Sequence, residues 1–374
     1  MSDRLQRISD YPAYLKACWQ EHLASRADDA PTVISTFAGC GGSSLGYSMA
    51  GFRELLAVEW DDNAVKTFKL NFPDVPVYHG DITRLSVAQC LEMTNLLPGQ
   101  LDVLDGSPPC QGFSTSGKRE FDDERNQLFR EYVRLLRGLH PKVFVMENVS
   151  GMVKGKMKLI FAEILRELKA SGYQVSARLL DAVYFGVPQF RERLIFIGVR
   201  DDLKIMPSHP AAQTIPITVE EAWQGVRDED APRLSPKLAS FIGKIPVWGN
   251  GGDVFRNRMH FSTVRLDMQR PSRTLTKSNY GSMGCHVHPN GQRAITTAEA
   301  KRISSFPDSY QFPGNYKESI ECMGNCVPPL FMRAIARHIR SEILSRVMEN
   351  SVNWSGMTCN YFASDGHIES APLD

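Results

Sequence analysis

Residues 32–52 read TVISTFAGCGGSSLGYSMAGF and predict a buried strand, a glycine loop and a helix in immediate succession. Glycines in such a loop let the backbone approach a ligand closely, and the helix N-terminus beyond them offers unpaired N–H groups. A second apolar run, residues 55–58, ends in Glu59, twenty positions after Gly39, which is the spacing at which an acidic side chain binds ribose hydroxyls. The stretch therefore predicts an α/β fold of the Rossmann type that binds an adenosine-containing ligand.

The glycine spacing narrows the choice of ligand. A dinucleotide fingerprint that starts at Gly39 and Gly41 requires a third glycine at position 44, where the chain has Ser44. This argues against NAD. A third predicted strand, residues 76–80, runs into Asp81, whose carboxylate would accept a hydrogen bond from an adenine amino group or, alternatively, cap a turn.

A cysteine stands on a proline-stiffened turn at residues 107–111, SPPCQ, directly after a short buried strand at 101–104. Such a turn directs the Cys110 thiol into the crevice at the carboxyl ends of the strands. A lone cysteine usually packs as a small hydrophobic side chain, but the next predicted strand, residues 143–146, ends in Glu147 at the same edge. The pattern therefore predicts a thiol nucleophile and a carboxyl group in one crevice.

Two cations, Arg191 and Arg193, lie in the run QFRER at residues 189–193, which leads into an apolar strand. Alternation along a strand places both on one face, where they would suit an anionic substrate. A ladder of surface ion pairs is the alternative interpretation.

The hydrophobic content of 42% over 374 residues is enough for one large domain with a smaller one, and the formal net charge is +1. A polyanion contact therefore requires a local cluster of cations. Between Lys244 and Arg293 the chain has eight Lys or Arg against two Asp, which predicts a nucleic-acid-binding surface. A solvated loop region with scattered charge is the alternative.

The N-terminus lacks an apolar signal segment, no apolar run is long enough to span a bilayer, and the eight cysteines have no paired short spacing. We therefore expect a soluble, cytoplasmic protein with no membrane partner. The cluster of Cys285, His286 and His288 lacks a second, spaced pair of ligands, so we expect no metal site.

In chain order, these motifs resemble those of the DNA (cytosine-5)-methyltransferase family. The elements that carry the resemblance are the glycine loop, the Pro-Pro-Cys-Gln turn, Glu147-Asn148-Val149, the QFRER run and Gly324-Asn325-Cys326-Val327-Pro328. The resemblance covers residues 33–340 and implies a Rossmann-like, doubly wound, mostly parallel sheet of the class I methyltransferase type with a second, smaller DNA-recognition domain. The implied divisions are a helical N-terminal extension at 1–31, a catalytic and cofactor-binding domain at 32–200, a target-recognition region at 201–285, a return to the catalytic domain with a closing helix at 286–348, and a mobile tail at 349–374.

The resemblance also implies the cofactor, S-adenosyl-L-methionine. Glu59 would bind its ribose, Trp60 and Ile82 would pack against its adenine, and Asp81 would accept from the adenine amino group. The complete predicted pocket consists of Phe37, Ala38, Gly39, Cys40, Gly41, Gly42, Glu59, Trp60, Asp81, Ile82, Pro109, Leu128, Asn325 and Cys326.

The implied reaction is methyl transfer to C5 of a cytosine that is flipped out of duplex DNA. The Cys110 thiolate would add to C6 and turn the ring into an enamine whose C5 attacks the methyl group. A protonated Glu147 at N3 and Arg193 near O2 would neutralise charge on the ring, and Arg191 would help keep the thiol ionised. The residues predicted to contact DNA are Ser114, Ser116, Arg256, Arg258, Arg265 and Arg273.

Two other functions share this pattern: an RNA methyltransferase of the same lineage, and a binding protein that has lost activity. The tRNA-modifying relatives carry a Cys-Phe-Thr element near their recognition region, where this chain has Thr276-Lys277-Ser278. A silent homologue would have lost Cys110 or Glu147, and both are present. We therefore expect a monomeric methyltransferase of double-stranded DNA, for which a cognate restriction endonuclease is the candidate partner.

Overall fold

The computed structural model describes residues 5–109, 127–153, 157–227, 232–255, 260, 262–281 and 284–349. The predicted tail beyond Glu349 lies outside these ranges. So do five of the predicted site residues, namely Cys110, Ser114, Ser116, Arg256 and Arg258.

The described part of the chain contains ten strands and twelve α-helices. The strands are β1 (Thr32–Thr36), β2 (Arg53–Glu59), β3 (Val77–His79), β4 (Val103–Gly106), β5 (Val143–Val149), β6 (Tyr173–Asp181), β7 (Glu192–Arg200), β8 (Val264–Arg265), β9 (Tyr280–Gly281) and β10 (Gly284–Val287). The helices are α1 (Tyr11–Leu23), α2 (Gly42–Met49), α3 (Asp62–Asn71), α4 (Val87–Thr94), α5 (Gln127–Leu139), α6 (Lys158–Ala170), α7 (Val219–Ala222), α8 (Pro236–Ala239), α9 (Gly251–Val254), α10 (Thr297–Ile303), α11 (Tyr316–Asn325) and α12 (Pro329–His338).

The first seven strands form one sheet in the order β3-β2-β1-β4-β5-β7-β6. The strands from β3 to β5 are parallel, and β7 runs antiparallel to both of its neighbours. Alternate residues point into two cores, with Val33 and Val103 on the side of α1, α2 and α12 and with Ile34 and Leu104 on the side of α5 and α6. The predicted Rossmann-like, doubly wound and mostly parallel α/β fold is therefore confirmed.

The helix α12 packs closely against α2 at Gly46, which has no side chain to separate them. A Cβ there would lie only 2.7 Å from the backbone nitrogen of Arg333. The predicted N-terminal helix, α1, joins the same layer through Arg333, which donates to Glu21 and to the Tyr14 hydroxyl at 2.8 Å each. The predicted closing helix is present as α12 and its continuation through a π-helical turn at Ile339–Leu344. No helix in the ranges described above is both long enough and apolar enough to cross a bilayer.

A second, smaller sheet has the strand order β8-β10-β9 and lies over a separate apolar core. That core consists of Leu238, Phe241, Ile242, Ile245, Cys285, Val287 and Ala294. The smaller region therefore has its own hydrophobic centre, as the predicted architecture requires. The predicted boundary at residue 285 falls inside β10, so the fold of the recognition region extends into the segment that was expected to return to the catalytic domain.

Asp105 in β4 is a carboxyl group inside the protein core, 4% exposed. The Tyr47 hydroxyl donates to its Oδ1 at 3.3 Å, but burial raises the pKa of Asp105 to about 7. An Asp in an unfolded chain has a pKa of about 3.9, so the folded state binds this proton more tightly than the unfolded state. The stability that this proton contributes is full below about pH 4 and is lost as the pH rises to about 7.

We expect Asp105→Asn to become more stable relative to the parent as the pH rises from about 4 to 7, because the variant has no proton to lose there. The measurement is the difference between the thermal unfolding midpoints of variant and parent across this range. Asp28→Asn changes an exposed carboxyl group and should give a constant difference. A constant difference for Asp105→Asn as well would contradict a shift that is caused by burial.

Candidate active site

The glycine loop between β1 and α2 has an unusual backbone. Phe37 and Gly39 have positive φ angles of 55° and 56°, so the chain turns sharply at the carboxyl end of β1. The amide of Gly39 donates to Oε2 of Glu59 at 2.7 Å. A Cβ built at Gly39 would meet nothing within 4 Å, so this glycine is required by its conformation and borders open space.

Gly42 faces the C-terminal motif instead. A Cβ there would lie 2.3 Å from the carbonyl oxygen of Val327 and 3.1 Å from Cβ of Cys326. The thiol of Cys326 donates to the carbonyl of Met323 at 3.2 Å. A hydrogen bond from Cys40, together with the charge of Arg191, holds the pKa of the Cys326 thiol below its ordinary value. The loop and the motif at 324–328, far apart in sequence, therefore form one wall of the site.

The carboxylate of Glu59 at the end of β2 is held in place by the backbone. Besides Gly39, it accepts from the amides of Trp60 and Asp61 at 2.8 and 2.9 Å. The Trp60 ring is 74% exposed beside it, in a position open to a planar ligand. These positions agree with a nucleoside-binding edge, and Pro109 and Asn325 are likewise exposed.

Three other predicted pocket residues have identifiable structural roles. Asp81 caps the short 3-10 helix at Ile82–Arg84, accepting from the Thr83 amide at 2.9 Å, which is the alternative role expected from the sequence. Ile82 is 5% exposed and belongs to the apolar core on the side of α5 and α6. Leu128 packs against the same core. A contact of these residues with an adenine stays a prediction.

Glu147 and Arg193 form an ion pair at the end of β5. Nε of Arg193 lies 2.7 Å from Oε1 of Glu147, with the two side chains 14% and 12% exposed. The antiparallel pairing of β5 with β7 produces this contact. Val149 is opposite Arg193 in the register, and Glu147, two positions before Val149, has its side chain on the same face of the sheet, so it meets Arg193 diagonally. The carboxyl group and the guanidinium that the resemblance assigns to N3 and O2 of one cytosine are therefore in contact.

Asn148 connects this pair to the turn that carries the cysteine. Its side-chain amide donates to the carbonyl of Pro108 at 3.2 Å, while its Oδ1 accepts from the Val149 amide at 2.9 Å. The chain is therefore held beside Glu147 two residues before Cys110, which itself lies outside the described residues. Asn148 was not predicted to have this role, although a polar residue that ends an apolar strand is a sequence signal for it.

Arg191 is 3% exposed and does not point with Arg193 towards a substrate. Its Nη1 donates to the carbonyl of Leu275 at 2.8 Å, and its Nη2 donates to the carbonyls of Gly324 and Cys326 at 3.1 and 2.8 Å. The expectation that both guanidinium groups serve an anionic substrate is therefore corrected for Arg191, because its two terminal nitrogens donate to backbone carbonyls. Its effect on the Cys110 thiol stays a prediction.

The neighbouring Gln189 was missed by sequence reasoning. Its side-chain oxygen accepts from the Leu275 amide at 3.1 Å, and its amide group donates to the carbonyl of Ile303 at 3.3 Å. Thr274 adds a hydrogen bond from its hydroxyl to the carbonyl of Phe190 at 2.6 Å. The segment at 270–276 is thus fastened to the strand that carries Arg193.

The two described cations among the predicted DNA contacts are both engaged within the protein. Arg265 donates to the carbonyl of Pro289 at 2.9 and 3.0 Å and to the carbonyl of Ile245 at 3.3 Å. Arg273 donates from Nε to the carbonyl of Trp248 at 2.9 Å. Arg265 therefore stabilises the recognition region in this conformation, and its predicted reading of base edges has no support from its contacts.

The fold is that of an α/β enzyme whose sheet has Glu59 at the end of β2 and the Glu147–Arg193 ion pair at the end of β5. The family model for C-5 cytosine-specific DNA methylases matches residues 31–341. The type II methyltransferase M1.HphI of Haemophilus parahaemolyticus is 36% identical over 328 residues, which cover 82% of this chain and 86% of that protein. The type II methyltransferase M.PspPI of a Psychrobacter strain is 31% identical over 362 residues, covering 90% and 85%.

Among solved structures, a prophage-encoded protein of E. coli described as a DNA modification methyltransferase has a TM-score of 0.68 at 25% identity, covering 87% of this chain and 100% of that chain. The chain belongs to the C-5 cytosine-specific DNA methylase family. It transfers a methyl group from S-adenosyl-L-methionine to C5 of cytosine in DNA.

Replacing Arg191 by Met should lower the free energy of unfolding by about 3 kcal/mol or more, because three buried carbonyls lose their donor. We also expect weaker binding of S-adenosyl-L-methionine, because two of those carbonyls belong to the wall beside Gly42. Thermal unfolding and calorimetric titration with the cofactor measure the two effects. Arg193→Met is the matched control and should lose turnover while it keeps cofactor affinity. Equal losses of cofactor affinity in both variants would refute the structural role of Arg191.

Proposed function

We propose that the chain methylates a cytosine flipped out of duplex DNA, within one specific sequence, through a covalent bond between Cys110 and C6 of the base. The observation that carries the proposal is the ion pair of Glu147 and Arg193 beside the turn that Asn148 ties to β5. A carboxyl group next to a guanidinium complements N3 and O2, which lie side by side on one edge of cytosine. The enzyme activity is then that of a DNA (cytosine-5-)-methyltransferase.

The chemistry requires a nucleophile and a proton donor on one base. Cytosine C5 is a weak nucleophile until a thiolate has added at C6, because addition converts the ring into an enamine. Negative charge accumulates on the ring during addition. Binding of the base replaces the ion pair, so that Glu147 takes up a proton from solvent and shares it with N3 while Arg193 stabilises O2. Loss of the C5 proton and expulsion of Cys110 then release 5-methylcytosine.

The cofactor supplies an electrophilic methyl group when bound, and the residues present fit it. Open space borders Gly39, the Glu59 carboxylate lies beside that glycine, and the exposed Trp60 ring follows. A fixed carboxylate suits ribose hydroxyls, and an exposed aromatic ring suits adenine. We therefore keep the pocket predicted from Phe37 to Cys326 as the proposed binding site, with Gly42 and Cys326 as its supporting wall.

Sequence recognition is proposed for the region at 201–285 together with the whole of β10. A base within a duplex cannot present C6 to a thiol, so the enzyme has to extract it at a cost of about a few kcal/mol while other contacts hold the DNA. Ser114, Ser116, Arg256 and Arg258 remain candidates for these contacts.

We also propose that the protein acts as a monomer within a restriction–modification system. Each catalytic group named above comes from a single chain, so the site requires no second copy. The relatives M1.HphI and M.PspPI are type II methyltransferases, which supports a cognate restriction endonuclease as the partner.

We expect Cys110→Ser to abolish methylation while cofactor affinity stays within about tenfold of the parent, because a hydroxyl is a far weaker nucleophile than a thiolate and the glycine loop is unchanged. A companion test uses duplex DNA with 5-fluorocytosine, which should become covalently trapped because fluorine cannot leave as a proton does. Tryptic mapping should find the adduct on Cys110. An adduct on a different cysteine, or an active serine variant, would rule out the assignment.

Glu147→Gln should lower the rate of methyl transfer by about 10²- to 10⁴-fold and leave DNA affinity nearly unchanged, because the proton matters mainly once the ring carries charge. Single-turnover rates and equilibrium binding separate the two effects. Glu192→Gln, which changes a neighbouring exposed carboxylate on β7, is the control and should behave like the parent. Parallel losses of rate and DNA affinity in Glu147→Gln would indicate a structural role instead.

A further inference from the structure

Two guanidinium groups of the smaller region, those of Arg270 and Arg273, lie against the ring of Trp248. The guanidinium carbon of Arg273 is 4.4 Å from the centre of its ring, and that of Arg270 is 4.7 Å away. Both distances are within the range of a cation–π interaction. One indole ring therefore holds two positive charges close together, on a protein whose formal net charge is +1.

The backbone of Trp248 is unusual as well. Its φ angle is 64°, a left-handed conformation that large side chains rarely adopt. The conformation is held by hydrogen bonds, since its amide donates to the carbonyl of Arg265 at 2.8 Å and its indole N–H donates to the carbonyl of Pro271 at 3.3 Å. The fold therefore holds Trp248 in a strained backbone conformation that fixes its ring in place. Strained conformations of this kind cluster at functional sites.

The two cations are incompletely neutralised. Among the residues that the structure describes, Asp267 is the one carboxylate in an ion pair with either of them, at 3.7 Å from Nε of Arg270. The Arg270 side chain is 56% exposed, so that pair is weak. Because both guanidinium groups lie against one ring, their positive charges repel each other, and an anion bound beside them would lower that repulsion.

The cluster of Trp248, Arg270 and Arg273 lies against the segment that leads into β7, the strand that carries Arg193. The ring of Phe190 meets the Trp248 ring edge to face, with 6.2 Å between centroids. Phe190 directly precedes Arg191 and stands three positions before Arg193, whose guanidinium pairs with Glu147. An anion bound at the two arginines would therefore lie close to the catalytic crevice.

We propose that Trp248, Arg270 and Arg273 form a phosphate-binding shelf, on which the DNA backbone rests beside the flipped cytosine. A guanidinium stacked on an aromatic ring still presents N–H donors at its edge to the oxygens of a phosphate, and a fixed ring orients it in advance. In Arg273 these donors are the two terminal nitrogens, because Nε donates to the carbonyl of Trp248. Phosphate contacts of this kind hold the register of the protein on the duplex without reading its sequence. The proposal rests on the proposed function, and it adds the residues that grip the strand.

The test is the salt dependence of binding to a fluorescently labelled duplex of randomised sequence. Each phosphate contact contributes about 0.9 to the slope of log affinity against log salt concentration. Arg270→Ala and Arg273→Ala should each reduce the slope by about that amount, whereas Arg270→Lys keeps the charge and should keep the slope. Trp248→Leu should weaken binding by about two- to fivefold for each arginine it releases, and Trp248→Phe should preserve it.

The matched control is Arg346→Ala, which removes the same side chain from an exposed position on the C-terminal helix and should leave the slope unchanged. Cofactor affinity and the thermal midpoint show whether each variant is folded. If Arg273→Ala does not fold, the slope of Arg270→Ala alone tests the proposal. Parental slopes in the folded arginine variants would overturn the shelf, as would an altered sequence preference at a constant slope. A parent protein without salt-dependent DNA binding would instead refute the proposed function.

Discussion

The guanidinium of Arg191 connects three segments that are distant in the chain. Leu275 is 84 residues away and Gly324 is 133 residues away, yet both carbonyls accept from this one side chain. A planar fork with several donors in fixed directions suits such a junction, which a lysine with its single nitrogen cannot reproduce. The start of β7, the element at 270–276 and the motif at 324–328 therefore cannot shift independently.

The motif at 324–328 in this junction contacts both the recognition element and the cofactor loop. A Cβ at Gly324 would lie 2.3 Å from the backbone nitrogen of Lys277, and a Cβ at Gly42 would lie 2.3 Å from the carbonyl of Val327. A short segment thus contacts the recognition element on one side and the cofactor loop on the other, with a glycine at each contact. Packed interiors yield little to compression, so these close contacts hold the recognition element, the motif at 324–328 and the cofactor loop at fixed distances from one another.

The parts of the fold that depend on neighbours in the chain could be predicted from the sequence. The glycine loop, Glu59 at the end of β2 and Glu147 near the end of β5 follow from strand ends, whereas the pairing of Glu147 with Arg193 was implied by the family resemblance. The direction of the Arg191 side chain could not be derived in this way, because its acceptors are backbone carbonyls that carry no sequence signature. Strand pairing likewise joins residues that are distant in the chain, and the boundary at 285 that was implied by the resemblance divides β10.

The count of cations in the recognition region overstates the charge that it offers to DNA. Of the eight Lys and Arg between residues 244 and 293, Arg265 is taken up by backbone carbonyls, and Arg293 forms a two-pronged ion pair with a carboxylate at 2.7 Å. The carboxylate neutralises the charge of Arg293, whereas Arg265 keeps its charge but has its N–H donors occupied by carbonyls and unavailable to a phosphate. Arg270 and Arg273 differ, since an aromatic ring holds them without cancelling their charge. Among the described cations of this region, Arg270 and Arg273 therefore offer a local positive charge to a polyanion, on a protein whose formal net charge is +1.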